Sequence, residues 1–468
     1  MSSRRPATAR GPAERDTIPS AVHVIIVGGG EIGFALAQAL SKEHEVFVID
    51  HAPVVADRFE RLDVQFLLGS GTSAEALGRA GIGRADVLVA CTGLDEVNIV
   101  TCAVGNRLGS PRTFCFVSRE DFVELQEGRE GLGQFGIDRI VWPEAQLAAD
   151  IERIVGTPGA VDAEVFADGA IRLVEYRLGA ASPIVDQPIA ALHLPHGALI
   201  VAVRRGDSFF IPRGDSALAA GDKAVIMGTP DALQDVRTRM TTSADVARQR
   251  VTIIGGGDVG LRLAERLDGA PNLEIAIIER DPARGELLAS RLRHVLVLSG
   301  DGTDLELLES EDIGRSDVLV CVIDNDERNL LASLLGRQLG ARRVITRVSR
   351  MANLRLFERV GIDVTLSARG AAVASVLHGI QGGTTRLLAL VEQGAGQVLE
   401  LDVPPGYTPR TLRELAPPSN SIIGAILRRT HAIVPRGTDR VEPGDRLIVF
   451  TTHAAADRVR DYFTSVNT

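Results

Sequence analysis

The chain spells its own order of segments twice. Val24-Ile25-Ile26-Val27 followed by Gly28-Gly29-Gly30-Glu31-Ile32-Gly33 returns as Val251-Thr252-Ile253-Ile254 followed by Gly255-Gly256-Gly257-Asp258-Val259-Gly260. Ile32, Leu36 and Leu40, one helical face, return as Val259, Leu263 and Leu267. Val46-Phe47-Val48-Ile49-Asp50 is answered by Ile275-Ala276-Ile277-Ile278-Glu279, and Gly69-Ser70-Gly71-Thr72 by Gly300-Asp301-Gly302-Thr303. Asp86-Val87-Leu88-Val89-Ala90 matches Asp317-Val318-Leu319-Val320-Cys321, and Asp95-Glu96-Val97-Asn98 matches Asp326-Glu327-Arg328-Asn329. So many matches in one order mean that one architecture is built twice.

Within each copy, apolar β-branched runs alternate with helical patterns. Runs apolar on both faces are buried parallel strands, and their alternation with helices implies βαβ units. The segments after each copy also match. Pro212-Arg213-Gly214 and Gly221-Asp222-Lys223 correspond to Pro435-Arg436-Gly437 and Gly444-Asp445-Arg446, and each pair precedes an apolar strand. Gly-Asp between short strands is a turn signal. The expected order is large, small, large, small: a disordered tail over 1–20, a parallel-sheet domain over 21–143, a linker helix and small α+β domain over 144–245, a second parallel-sheet domain over 249–367, and a second linker helix and small domain over 368–466. The 468 residues exceed what one domain usually holds.

Composition excludes several classes. Net charge is −10, which opposes generic binding to nucleic acid or an anionic membrane. Aromatics are 4% of the chain, too few for a single-strand stacking platform. No apolar run approaches about 18 residues, and the polar first twenty lack a signal-peptide pattern. Cys91, Cys102, Cys115 and Cys321 show no C-x-x-C spacing and read as buried free thiols in a reducing cytosol. The nine histidines are scattered, with no metal-ligand spacing.

The chemistry concentrates at the two Gly-rich turns. Gly28-x-Gly30-x-x-Gly33 follows a strand, opens a helix and has an acid at the end of the next strand. That is the full context of a Rossmann-type dinucleotide fingerprint. The first glycine allows the turn, the second admits a pyrophosphate to the backbone, and the third lets helix and strand pack closely. Free N–H groups at the helix start attract phosphate. Asp50 and Glu279 each lie roughly 20 residues after their first glycine, where an acid accepts ribose hydroxyls. Both would repel a 2′-phosphate, so NAD(H) or an adenine nucleotide is expected over NADP(H). The bland alternatives are a ligand-free βα turn, Asp50 as a turn former before Ala52-Pro53, and Glu279 as a partner of Arg280. Asp301 is placed to contact adenosine or to cap the next helix; Ser70 stands there in the first copy. Thr92 and Gly93, like Ile323, Asp324 and Asn325, follow the fourth strand, at the carboxyl ends where ligands of open α/β sheets sit.

Hydride transfer also needs an acid–base group in a substrate pocket, and none is legible here. No Ser/His/Asp or Cys/His arrangement is visible in the small domains. Two nucleotide sites without catalytic machinery suggest sensing; an NAD-dependent oxidoreductase is the rival.

The doubled Gly-rich turns, the doubled G-[SD]-G-T turns, Thr92 to Asn98 and the late Pro-Arg-Gly … Pro-Gly-Asp of 435–445 resemble the TrkA family, cytosolic regulatory subunits of bacterial Trk potassium-uptake systems. The resemblance spans about 21–466. It implies tandem units, each a Rossmann-like RCK N-terminal domain followed by a small RCK C-terminal domain. It implies NAD(H) or ATP/ADP at Gly28 to Ile32, Asp50, Thr92 and Gly93, and at Gly255 to Val259 and Glu279. It further implies a homo-oligomeric ring docked beneath a membrane potassium-translocating subunit, at the inner face of the plasma membrane. Family members often carry an arginine on the fifth strand that contacts phosphate. Arg347 matches it in the second copy, whereas Phe116 stands there in the first, with Arg119 as a substitute three residues on. RCK units also regulate other cation channels and antiporters, and the sequence leaves that alternative open.

Overall fold

The structure is a computed structural model that describes residues 22–41, 44–109, 111–127, 132–157, 159–180, 182–240, 249–350, 353–380, 385–392, 395–429 and 431–465. The expected tail over 1–20 lies outside the described residues.

The first parallel sheet contains β1 (His23–Val27), β2 (Glu45–Asp50), β3 (Gln65–Leu68), β4 (Val87–Ala90), β5 (Arg112–Phe116) and β6 (Arg139–Val141). They lie in the order β3-β2-β1-β4-β5-β6. Helices α1 (Glu31–Leu40), α2 (Ala74–Arg79), α3 (Asp95–Gly109) and α4 (Glu120–Glu127) connect them, and α5 (Pro143–Val155) leads out. Every residue of β1 and β4 is buried, which is why both read as unbroken apolar runs. Strand order reverses between β1 and β4, and that reversal opens a crevice at their carboxyl ends.

The first small domain pairs β7 (Ala160–Phe166), β8 (Ile171–Arg177), β9 (Ala198–Arg205), β10 (Ser208–Phe210) and β11 (Lys223–Gly228) in an antiparallel sheet ordered β10-β9-β11-β8-β7, followed by α6 (Pro230–Met240).

The second parallel sheet repeats the first. It holds β12 (Gln249–Ile254), β13 (Leu273–Glu279), β14 (Val295–Ser299), β15 (Val318–Cys321), β16 (Val344–Arg347) and β17 (Val364–Leu366), ordered β14-β13-β12-β15-β16-β17. Its helices are α7 (Asp258–Leu267), α8 (Pro282–Arg291), α9 (Leu305–Ser310), α10 (Asp326–Leu339) and α11 (Leu354–Arg359), and α12 (Ala368–Ile380) leads out. The copies diverge after the second strand. Asp281 caps α8 through the Ala283 and Arg284 amides, whereas the first copy has only a short 3₁₀ stretch, Pro53–Arg58.

The second small domain has β18 (Thr385–Val391), β19 (Gly396–Asp402), a short β20 (Arg410–Thr411), α13 (Leu412–Leu415), β21 (Ser421–Arg428), β22 (His431–Ile433), a short β23 (Arg440–Val441), β24 (Arg446–Thr452) and α14 (Ala456–Ser465). Its main sheet is ordered β18-β19-β24-β21-β22, and β20 pairs with β23. The two small sheets share one core. Ile171, Val201, Val225 and Met227 of the first are buried against Val398, Ala425, Ile448 and Phe450 of the second. A Cβ on Gly424 would lie 2.3 Å from the Met227 sulfur, so glycine is what lets the sheets approach.

Spatially the chain groups into two compact units, Met1–Leu147 with Ser367–Gly383, and Ala148–Leu366 with Thr384–Thr468. Within the first, α12 packs on α1 and β6. Arg139 donates to the Ser375 hydroxyl at 3.4 Å, and a Cβ on Gly379 would meet the Phe114 ring at 2.4 Å. The helix that follows the second parallel sheet is thus built into the first.

Candidate functional site

Both Gly-rich turns have the geometry that a phosphate-binding loop needs. Gly28 and Gly255 have φ of 113° and 106°, a region that L side chains rarely enter. A Cβ on Gly28 would sit 2.8 Å from the Cys91 backbone, and one on Gly255 would sit 2.9 Å from the Ile323 amide. Gly33 and Gly260 press against the carbonyl oxygens of Gly28 and Gly255, where a Cβ would lie 1.8 and 1.9 Å away. The middle glycines differ: a Cβ on Gly30 or Gly257 meets nothing within 4 Å. Their backbone faces open space at the helix start.

That helix start is unsatisfied. Gly30 and Gly257 are the N-caps of α1 and α7, and neither helix has a side-chain cap. Ser73, Asp281, Asp304 and Asn325 cap α2, α8, α9 and α10 with their side chains. The amides of Glu31, Ile32 and Gly33, and of Asp258, Val259 and Gly260, are therefore left for an anion.

The acids of the second strands are locked onto the turns. Asp50 accepts from the Gly29 amide at 2.6 Å and the Ala52 amide at 2.8 Å. Glu279 accepts from the Gly256 amide at 2.7 Å and the Asp281 amide at 2.7 Å. The turn-former role of Asp50 and its place beside the glycines are thus one arrangement. Glu279 takes backbone amides as partners, not the neighbouring Arg280. Each carboxylate oxygen keeps a second lone pair for a hydroxyl.

The third-strand turns correct one expectation. Asp301 does not cap the next helix; Asp304 does. Asp301 instead accepts from the Thr303 amide at 3.0 Å and hydroxyl at 2.7 Å, and pairs with Arg328 at 2.6 Å. These bonds hold its carboxyl below the ordinary range against the opposing effect of burial. In the first copy Ser70 bonds Thr72 at 2.9 Å.

At the carboxyl ends of the fourth and fifth strands, Arg347 pairs with the exposed Asp324 at 2.9 Å and is itself largely buried. Phe116, its counterpart, is buried and apolar. Arg119 turns to Glu96 at 3.2 Å and to Asp121, on the surface. The Thr92 hydroxyl and amide both bond Asn98 Oδ1, at 2.7 and 2.9 Å, while Gly93 borders open space. Asn325 is a helix cap, bonding the Arg328 amide at 2.8 Å.

Two features were not singled out from sequence. Asn98 and Asn329 staple the ends of the fourth and fifth strands: Asn98 bonds the Thr92 and Phe116 carbonyls, and Asn329 those of Ile323 and Arg347. Their signal was the doubled Asp-Glu-x-Asn. The other is Arg284, whose Nε donates to the Gly256 carbonyl at 2.8 Å and whose Nη2 meets Asp258 at 3.0 Å. Val55 holds its place in the first copy. There Glu31, the counterpart of Asp258, pairs with Arg369 of α12.

Fold and turns together define a duplicated Rossmann-type protein in which each parallel-sheet domain is followed by a small antiparallel one. Residues 24–143 and 251–368 match the TrkA-N domain, and 173–241 and 399–464 match the TrkA-C domain. The chain is 37% identical over 448 residues to Trk system potassium uptake protein TrkA homolog 1 of Methanosarcina mazei, covering 94% of this chain and 99% of that one. It is 31% identical to Trk system potassium uptake protein TrkA of Azorhizobium caulinodans, covering 94% and 98%. The chain belongs to the TrkA family. Among solved structures it shares its fold with the GsuK RCK domain (TM-score 0.57, 20% identity, 96% of this chain and 97% of that chain). It also shares it with the GsuK channel bound to NAD (TM-score 0.58, 20% identity, 96% and 80%).

Proposed function

We propose that this chain is a cytosolic, non-catalytic regulatory subunit of a membrane potassium-uptake system, and that NAD(H) or ATP/ADP at its two Gly-rich turns sets its state. The observation that carries the reading is the pair of uncapped helix starts beneath Gly30 and Gly257, each flanked by an acid bonded to the adjacent glycine amide. A pyrophosphate sits on the free amides and an adenosine ribose on Asp50 or Glu279. The names of the relatives supply the potassium-uptake context, and the fold shared with an NAD-bound channel supports the ligand class.

The two sites are unequal. The second offers Arg347 and Arg284 beside Glu279 and Asp301; the first has Phe116 and Val55 in the two arginine positions. One site can therefore answer a ligand that the other ignores. No helix among the described residues is long and apolar enough to cross a membrane. Contact with a potassium-translocating subunit then runs through the surface of a ring of copies. Nucleotide acts by binding two states of that ring unequally.

The test is nucleotide titration of the purified chain, with turnover of NADH followed in parallel. The reading expects saturable binding to the chain, sensitive to Asp50→Ala or Glu279→Ala, and no cofactor turnover. Steady oxidation of NADH with a small-molecule substrate contradicts it.

A further inference from the structure

A second kind of site lies at the opposite end of the second parallel sheet. The Gly-rich turn and Glu279 stand at the carboxyl ends of the strands. Gln249, Leu273 and Val318, at or near the amino ends of β12, β13 and β15, instead border a cavity of about 1040 Å³. Its other walls are the last turn of α5, the start of β7, the end of β8 and the outer face of α6.

Five arginines reach this cavity: Arg177, Arg237, Arg266, Arg342 and Arg343. Three carboxylates oppose them. Glu152 takes Arg266 at 2.5 Å, and Asp317 takes Arg342 at 2.8 Å. Asp363 is shared: it accepts from the Val344 amide at 2.8 Å and from Arg337 at 2.6 Å, and it also attracts Arg343.

Positive charge is left over at Arg177 and Arg343. Arg177 has no carboxylate partner among the described residues. Arg343 spends Nη1 on the Ile154 and Thr157 carbonyls, at 3.2 and 3.5 Å, and its buried Nη2 has no hydrogen-bond partner among the described residues. Burial pulls this guanidinium down to about 10, the mark of a cation short of compensating charge. Burial raises the Tyr176 hydroxyl, and Arg237 and Arg343 nearby offset only part of that. Between the arginines the wall is apolar, with Val161, Leu178, Leu267 and Pro271.

We propose that this cavity binds a soluble small molecule carrying several phosphate groups, as a ligand site distinct from the Gly-rich turns. Guanidinium forks match phosphate oxygens in pairs. A cavity of this volume takes a nucleotide-sized body against its apolar wall. Bound there, the ligand ties the end of α5 and the first small domain to the second parallel sheet. It is thus placed to set the angle between them.

The test is calorimetry on the full chain with inorganic tripolyphosphate at low and moderate salt. Three variants are compared: Arg177→Gln/Arg237→Gln together, Arg343→Met, and Arg284→Ala at the Gly-rich turn. The double variant leaves the Arg343 cap on α5 intact, and its unliganded melting temperature checks the fold. The expected result is a saturable binding event, separate from any that Arg284→Ala weakens at the Gly-rich turn, that is weakened about tenfold or more by the double variant and by Arg343→Met. Binding lost only with Arg284→Ala puts the anion at the Gly-rich turn and overturns the proposal. So does an absence of binding at millimolar tripolyphosphate, or binding that ignores all three variants.

Discussion

Arg284 meets Asp258 at 3.0 Å across the mouth of the second Gly-rich turn. The equivalent acid in the first turn, Glu31, is met by Arg369 from α12. An acid at the first helical position suits the helix dipole but opposes an arriving phosphate. In each turn an arginine offsets that charge. The second turn draws its arginine from the adjoining helix, and the first from the far half of the sequence.

Arg284→Ala is therefore expected to weaken nucleotide binding at the second turn alone, by roughly ten- to a hundredfold, the loss of one charge-assisted hydrogen bond. Arg369→Ala is expected to act on the first turn alone. Calorimetry resolving two binding events checks both.

In the proposed reading the acids at the second strands bind the ribose. Asp50→Ala and Glu279→Ala should each cost about 1.5–3 kcal/mol of nucleotide affinity at their own site. NADPH should bind more weakly than NADH, because a 2′-phosphate would approach a carboxylate that already faces inward. Equal affinities for the two cofactors would refute the ribose assignment.

Lys223 is a structural cation. Its Nζ lies 2.8 Å from Glu392, 3.3 Å from Glu175 and 3.7 Å from Glu358, and the first two acids are almost wholly buried. Lys223→Met leaves buried Glu175 without its cation and Glu392 with Arg204 alone, at 3.2 Å. The expected loss is about 3–5 kcal/mol in chemical denaturation.

Burial pushes Glu164 up to about 8 despite Arg153 at 3.0 Å, and nearby Asp150 up to about 6. A carboxyl raised in the folded state binds its proton more tightly there than in the unfolded chain. Its contribution is full below about pH 4.5 and is lost as pH rises through about 8. The melting temperature of Glu164→Gln should thus fall less between pH 5 and 8 than that of the parent chain.

Much of this was legible in the sequence because it is written twice and locally. The glycines, the strand-end acids and the fourth-strand loops fall at fixed spacings from apolar runs, so β1–α1–β2 and β12–α7–β13 could be placed by pattern. What was not legible depends on partners distant in the chain. Nothing near Glu31 announces Arg369, and nothing near Lys223 announces Glu392. The shared core of the two small sheets arises because Gly424 leaves room for Met227, a fact of packing and not of period. Of the two roles open to Asp301, adenosine contact and helix capping, the second falls to Asp304, three residues on and nearer the helix.

The central claim is that nucleotide at the Gly-rich turns controls a membrane partner. Its most direct test is nucleotide affinity measured on the full chain with and without the solubilised potassium-translocating subunit. Coupling between two sites is reciprocal, so the account predicts that the partner shifts nucleotide affinity, and that Asp50→Ala with Glu279→Ala abolishes the shift. A chain that stays monomeric, and whose nucleotide affinity is the same in both conditions, would contradict it.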